Sequence, residues 1–253
     1  MVNPHHVAHW YPTAAYLYIL GLDMLALAWE YLRRHPEYRL DWLRHHRRPH
    51  AAHAATQRWG LRLWEDPARD ARDAHPAWLP GHDAVVQLYP DADPPPDAAV
   101  FDVWRIPGHK QLIHDGKGLA LIARSPGRWQ RFALAPGLED GMAVARVHRG
   151  RGTTHAPDTP APMARPRPPP AALLELHTLQ ALDATLAGAS LREVGEGLFG
   201  ADAMADWYTD GGLRSKVRRL VRRGEALMRG GYRRLAQLPP LEKGRFEGNA
   251  KRP

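Results

Sequence analysis

The sequence predicts an α+β protein in which two helical segments flank a small, mainly antiparallel β region. Three observations predict it. Near the N-terminus, apolar residues recur at spacings of three and four, the signature of a helix with one buried face. From Trp59 to about Val147, short apolar runs alternate with turn residues, as strands do. Beyond a proline-rich stretch the helical spacing returns, and it ends in the arginine-dense run GGLRSKVRRLVRRGEALMRGGYRRL, residues 211–235.

Taken in order, Thr13 to Arg34 reads as one helix with Thr13 as its cap. Leu17, Leu20, Met24, Leu27 and Tyr31 form its apolar face. Glu30 precedes Arg33 and Arg34 at i+3 and i+4, an orientation that suits a helix end. His35-Pro36 stops it, and a short helix near Tyr38 to His46 follows. The strand candidates are Ala84–Pro90, Ala99–Ile106, the two arms of Lys110–Arg124, Arg128–Ala135 and Gly141–Val147. Asp115-Gly116 between apolar runs marks a hairpin, and ARSPGRW marks a second turn. Residues 149–170 are rich in proline and poor in large apolar side chains, the composition of a semi-stiff linker.

After that linker, Ala171–Leu186 reads as a helix with Leu173, Leu176, Leu179, Leu182 and Leu186 on a broad face. Ser190 and Glu193 have the spacing of a capping box. The short helix they open turns Leu191, Val194 and Leu198 inward and ends at Gly200. One or two helical turns follow in ADAMADWY, and the basic helix starts after Gly212.

Advanced at 100° per residue, Val217, Leu220, Val221, Gly224, Leu227 and Met228 share an apolar stripe roughly 120° wide. Arg214, Ser215, Arg218, Arg222 and Arg229 lie on one flank, and Lys216, Arg219 and Arg223 on the other. Gly230-Gly231 supplies a stop, with Tyr232, Arg233 and Arg234 beyond it. Between Arg214 and Arg234 stand nine basic residues and one acid, Glu225. The whole chain carries a formal charge of +8, which this run alone accounts for. A solvated helix normally mixes signs, because like charges one turn apart repel. Here Arg214/Arg218, Arg218/Arg222 and Arg219/Arg223 are such pairs, so an external anion is the expected partner. Three helices ending in a basic amphipathic one are the parts of a helix-turn-helix DNA reader, although residues 200–212 make a longer turn than its usual three or four.

The C-terminal run LDATLAGASLREVGEGLFG followed by LRSKVRRLVRRGEALMRGGYRRL resembles the family called domain of unknown function 2285, over residues 171–235. That resemblance implies a helix-turn-helix fold, a proteobacterial setting, association with integrative and conjugative elements and, for some members, transcriptional control. The N-terminal AAYLYILGLDMLALAWEYLRRHPEYRLDW, above all AWEYLRRHPEYR, resembles the transcriptional-regulator-like segment that precedes such domains. On this reading residues 1–148 are a regulator-like α/β region, 149–170 the linker, 171–236 the DNA-binding domain and 237–253 a tail.

Little in the sequence points to catalysis. There is no cysteine, which excludes disulfides, thiolate-held metals and thiol nucleophiles. His46 and His50 have i,i+4 spacing, but Pro49 interrupts the helix that would align them, and no carboxylate completes a metal set. HDGKG, residues 114–118, lacks the longer phosphate-cradling pattern. The dispersed tryptophans read as packing residues. The longest apolar stretch, Ala14–Trp29, is interrupted by Asp23 and too short to span a bilayer, and no signal peptide is evident.

The expected protein is thus a cytoplasmic DNA-binding regulator without catalytic residues, metal or cofactor. Its expected DNA contacts are Arg214, Ser215, Lys216, Arg218, Arg219, Arg222, Arg223, Arg229, Tyr232, Arg233 and Arg234. Its expected partner is double-stranded DNA. Another regulator, RNA polymerase or a second copy of the chain remain open for the N-terminal part. The competing reading is a protein–protein adaptor or antiactivator that uses the same helices.

Overall fold

The computed structural model describes residues 10–45, 53–79, 85–114, 118–125, 128–147, 170–205, 207–208 and 211–239. The turns at Asp115-Gly116 and Pro126-Gly127, His46 and His50, linker residues 149–169 and the tail beyond 239 lie outside them.

The N-terminal apolar run forms two helices where the sequence predicts one. Thr13–Gly21 is a 3-10 helix, and α1 is Met24–Leu32. Between them Leu22 is extended, and the Asp23 carboxylate accepts the Ala26 N–H at 2.8 Å, an N-cap that starts a new helix. Thr13 does not cap; its hydroxyl meets Gln180 Oε1 at 3.3 Å. The change of period also breaks the expected face. Leu27 and Tyr31 are buried, while Leu17 and Met24 are exposed. Helix α2, Pro36–His45, begins at the proline that stops α1, because a proline's missing N–H costs nothing in a first turn. Helix α3 is His53–Arg58.

Five strands follow: β1 Val85–Pro90, β2 His109–His114, β3 Leu119–Ser125, β4 Arg128–Leu134 and β5 Val144–Val147. They form one sheet in the order β2-β3-β4-β1-β5. The sheet is mainly antiparallel as expected, with one parallel pairing, β1 on β4. Ala99–Ile106 is not a strand. Asp102 Oδ1 accepts the N–H groups of Trp104 and Arg105, and Asp140 accepts that of Val103, so side chains close this segment into turns. Its contacts with the sheet edge are a bridge from Val100 to Ala143 and the Val144 N–H, which donates to the Ala99 carbonyl at 2.8 Å.

Both faces of the sheet are covered. Leu121 joins Leu88, Phe101, Leu134 and Val144 on one face, and its neighbour Ile122 meets Ala77 and Ile113 on the other. This is the alternation a two-residue period requires. On that second side Arg131 forms an ion pair with Asp23 at 2.6 Å.

The C-terminal helices are α4 Pro170–Leu186, α5 Leu191–Phe199, α6 Gly211–Ala226 and α7 Tyr232–Leu235. The capping box is formed by Ser190 and Glu193. These helices do not build a core of their own alone. Trp29, Leu32, Tyr38 and Trp59 pack with Leu176, Leu179, Leu182, Leu227 and Tyr232 in a single cluster. A second cluster joins Trp10 to Ala184, Val194, Met204, Trp207, Val217 and Leu220. The helical segments before the sheet and after the predicted linker therefore share their interior, with the sheet inserted between them in the chain.

Polar links cross the same boundary. Arg34 Nε and Nη2 donate to the Asp183 carboxylate at 2.6 and 2.7 Å, and Tyr16 donates its hydroxyl to Asp183 at 2.8 Å. Arg34 also reaches Glu30, whose other oxygen accepts the Ala71 N–H at 2.6 Å. Burial alone would raise the Glu30 and Asp183 carboxyls. The adjacent guanidiniums outweigh it and hold both below the usual carboxylate range.

Candidate nucleic-acid interface

Helix α6 is positioned by its apolar stripe. Val217, Leu220, Val221 and Gly224 are buried, and Leu227 and Met228 continue the stripe. Gly224 sets the closest approach to α4. A Cβ there would stand 3.0 Å from Leu182 Cβ and 3.2 Å from the Thr178 carbonyl oxygen. Below α5, Met204 and Trp207 plug the space that the long turn would otherwise leave. A Cβ on Gly195 would come within 2.9 Å of the Trp207 ring. The turn is thus extended and yet anchored, through a 3-10 turn at Asp202–Met204.

With one side committed to the core, α6 turns its basic side outward. Arg214, Ser215, Lys216, Arg218, Arg219 and Arg222 are exposed, as are Arg229 and Arg234. Among the described residues none of these cations has a carboxylate partner; the ion pair that involves the helix is Arg223 with Glu175. Lys216 lies over the Phe199 ring, 4.5 Å from its centroid, and so ties the first turns of α6 to α5. His177 on α4 sits beside them, its imidazole held below its usual range by burial and then by the Lys216 charge.

Three of the predicted contacts are placed otherwise. Tyr232 is fully buried, donates its hydroxyl to the Trp59 carbonyl at 3.3 Å, and is pushed up to about 12, first by burial. Arg233 is buried and donates to the Arg58 carbonyl at 2.8 Å and to that of Pro239. The reason is the backbone. Gly230, at φ 126°, ends one helix, but the chain resumes as α7 immediately and turns Tyr232 and Arg233 into the core. Arg223 is half-buried, and Glu175, which holds it, also accepts the Tyr31 hydroxyl at 2.6 Å. This chain, Tyr31–Glu175–Arg223, connects α1 through α4 to α6. Nothing local in the sequence marks it, since its members lie 144 and 48 residues apart.

The dispersed tryptophans largely pack, as expected: Trp10, Trp29, Trp59, Trp78 and Trp207 are buried. Trp42 and Trp64 are half-buried, and among the described residues Trp104 departs from the expectation, 81% exposed in the turn segment after β1. Among the described residues no His, Asp and Glu group has the arrangement of a metal site, and no helix is long and apolar enough to cross a membrane.

Comparison with known families divides the chain into three matches. Residues 9–63 match a proteobacterial transcriptional regulator-like domain. Residues 83–130 match a domain of unknown function, number 7011. Residues 131–237 match a family described as "T6SS, Transcription factor, DNA binding domain". No curated protein matches the chain. The first and third matches indicate a transcriptional regulator with a DNA-binding domain. The third covers all of α4 to α7 and begins inside β4, well before the start predicted at 171.

Proposed function

We propose that the chain controls transcription by gripping double-stranded DNA with α6, in the manner of a helix-turn-helix reader. Arg214, Ser215, Lys216, Arg218, Arg219 and Arg222 form the contact surface, and Arg229 and Arg234 extend it along the phosphate backbone. The observation that carries this reading is the basic face of α6, without carboxylate partners among the described residues apart from Glu175 on Arg223, on a helix whose opposite side is used in packing. The match of residues 131–237 to a DNA-binding domain supports it. Residues 9–63 resemble a regulator domain, so the helices before the sheet are the proposed seat of contact with another regulator, RNA polymerase or a second copy. The resemblance to domain of unknown function 2285 adds a mobile-element setting to the proposal. No catalytic step is part of it.

The test is fluorescence anisotropy of the full-length chain on random duplex DNA across a salt series. The full chain is required because α4 and α7 take part of their core from residues 16–78. With about five phosphates neutralised, the logarithm of affinity should fall with the logarithm of salt at a slope near −4.5. Absence of binding at low salt would overturn the proposal and favour an adaptor whose arginines meet an acidic protein surface.

A further inference from the structure

An open cleft of about 770 Å³ lies between the first helical segment and the C-terminal end of α4. Four arginines border it, Arg33, Arg34, Arg39 and Arg72, with Asp70 and Asp183 between them. Adding the buried Glu30, four guanidiniums meet three carboxylates, so the cleft keeps a surplus positive charge.

The hydrogen bonds show where that surplus sits. Arg34 spends four hydrogen bonds on Glu30 and Asp183, and its charge is matched by both carboxylates. Arg72 is held by Asp70 and lies 4.7 Å from the Tyr18 ring centroid. Arg33 spends Nε on Glu30 and Nη1 on the Pro67 carbonyl, which leaves its Nη2 without a partner among the described residues. Arg39, exposed on α2, has no carboxylate partner among them. Two guanidiniums from different elements thus have donors to spare beside one cavity. A carboxylate presents two oxygens in one plane and a single charge, whereas a phosphoryl group presents three oxygens and up to a second negative charge to share between two guanidiniums. A bare phosphate would fill little of this space, which falls in the range of small-molecule sites, about 300–1,000 Å³. The remaining wall, with Tyr18, Pro67 and Leu186, is suited to an organic body.

We propose that this cleft binds a small organic phosphate, its phosphoryl oxygens held by Arg33 and Arg39 and its body against Tyr18, Pro67 and Leu186. The recessed position of Arg33, 19% exposed, suits a small molecule better than a duplex backbone. Because the cleft is shared by α4 and the regulator-like helices, its occupant would touch both. The proposal does not depend on the DNA reading; phosphate binding tests it, and DNA affinity enters only as a control.

The experiment is isothermal titration of the full-length chain with phenyl phosphate, glucose 6-phosphate and adenosine 5′-monophosphate, with inorganic phosphate and adenosine as controls. At least one organic phosphate should bind with Kd below about 1 mM, and more tightly than either control. Arg39→Ala should weaken it about tenfold, as loss of one charge-assisted contact does, with unchanged thermal unfolding and unchanged affinity for DNA. Organic phosphates no tighter than inorganic phosphate, or an R39A protein that binds them equally well, would overturn the site. So would an R39A protein that loses DNA affinity and shows no phosphate binding to lose, since Arg39 would then belong to the DNA footprint.

Discussion

Replacing Asp183 with alanine should be the most damaging single change to the polar seam between the helical segments. The carboxylate accepts three hydrogen bonds, two from Arg34 and one from Tyr16, and its side chain is 24% exposed. The Arg34 side chain is 8% exposed, so the variant leaves a buried cation short of one partner. Breaking a buried pair from one side costs about 3–5 kcal/mol. Arg34 keeps Glu30, so the lower end, about 3 kcal/mol, is expected. With a urea m-value near 3 kcal/mol/M, the upper end for small proteins, the unfolding midpoint should fall by about 1 M. Asp183→Asn, which keeps an acceptor, should fall by less. Acid supplies a second check with a definite sign. The folded Asp183 and Glu30 carboxyls titrate below their unfolded values, so their contribution is complete above about pH 5 and is lost as pH falls through the folded values. Wild type and variant should therefore converge at low pH. A midpoint shift below about 0.3 M, or a stability gap that does not narrow as pH falls, would refute the reasoning.

Other predictions concern α6 and its supports. Arg218→Ala and Arg222→Ala should each reduce the salt slope of DNA binding by about 1 and leave thermal unfolding unchanged, as measured by anisotropy and calorimetry. Tyr232→Phe should cost about 1 kcal/mol in urea denaturation through the lost bond to Trp59, with DNA affinity at fixed salt unaltered. Loss of DNA affinity in that variant would return Tyr232 to the interface. Ser190→Ala, which removes one half of the capping box, should cost about 1 kcal/mol by the same denaturation assay.

Much of this architecture could be read locally. The stripe Val217–Leu220–Val221–Gly224 follows from a helical period, and the Ser190–Glu193 box from its spacing, because both depend on residues within one or two turns. All five strands lie within or next to the short apolar runs bounded by turn residues. What escaped is non-local or hinges on one side-chain bond. Asp23 stands in an apolar run that reads as a single helix, and only its bond to the Ala26 N–H shows that a new helix starts there. Asp102 likewise closes turns inside a strand-like run. Tyr232 and Arg233 looked like an extension of the basic patch, since a charge count cannot show that the chain resumes a helix after Gly230. The partners of Arg34 and Arg223, Asp183 and Glu175, are separated from them by 149 and 48 residues.

The shared interior also sets an order of events during synthesis. Trp29, Leu32 and Trp59 emerge from the ribosome well over 100 residues before Leu176, Leu179 and Leu182, the side chains that cover them. At about 5–20 residues per second, these apolar faces wait roughly 6–30 s for their complement, far longer than helices take to form. Throughout that interval the nascent chain presents aromatic surface to chaperones, and a message cut short before α4 would yield a product that cannot close its core. The regulator becomes a folded body only when its last helices have been made.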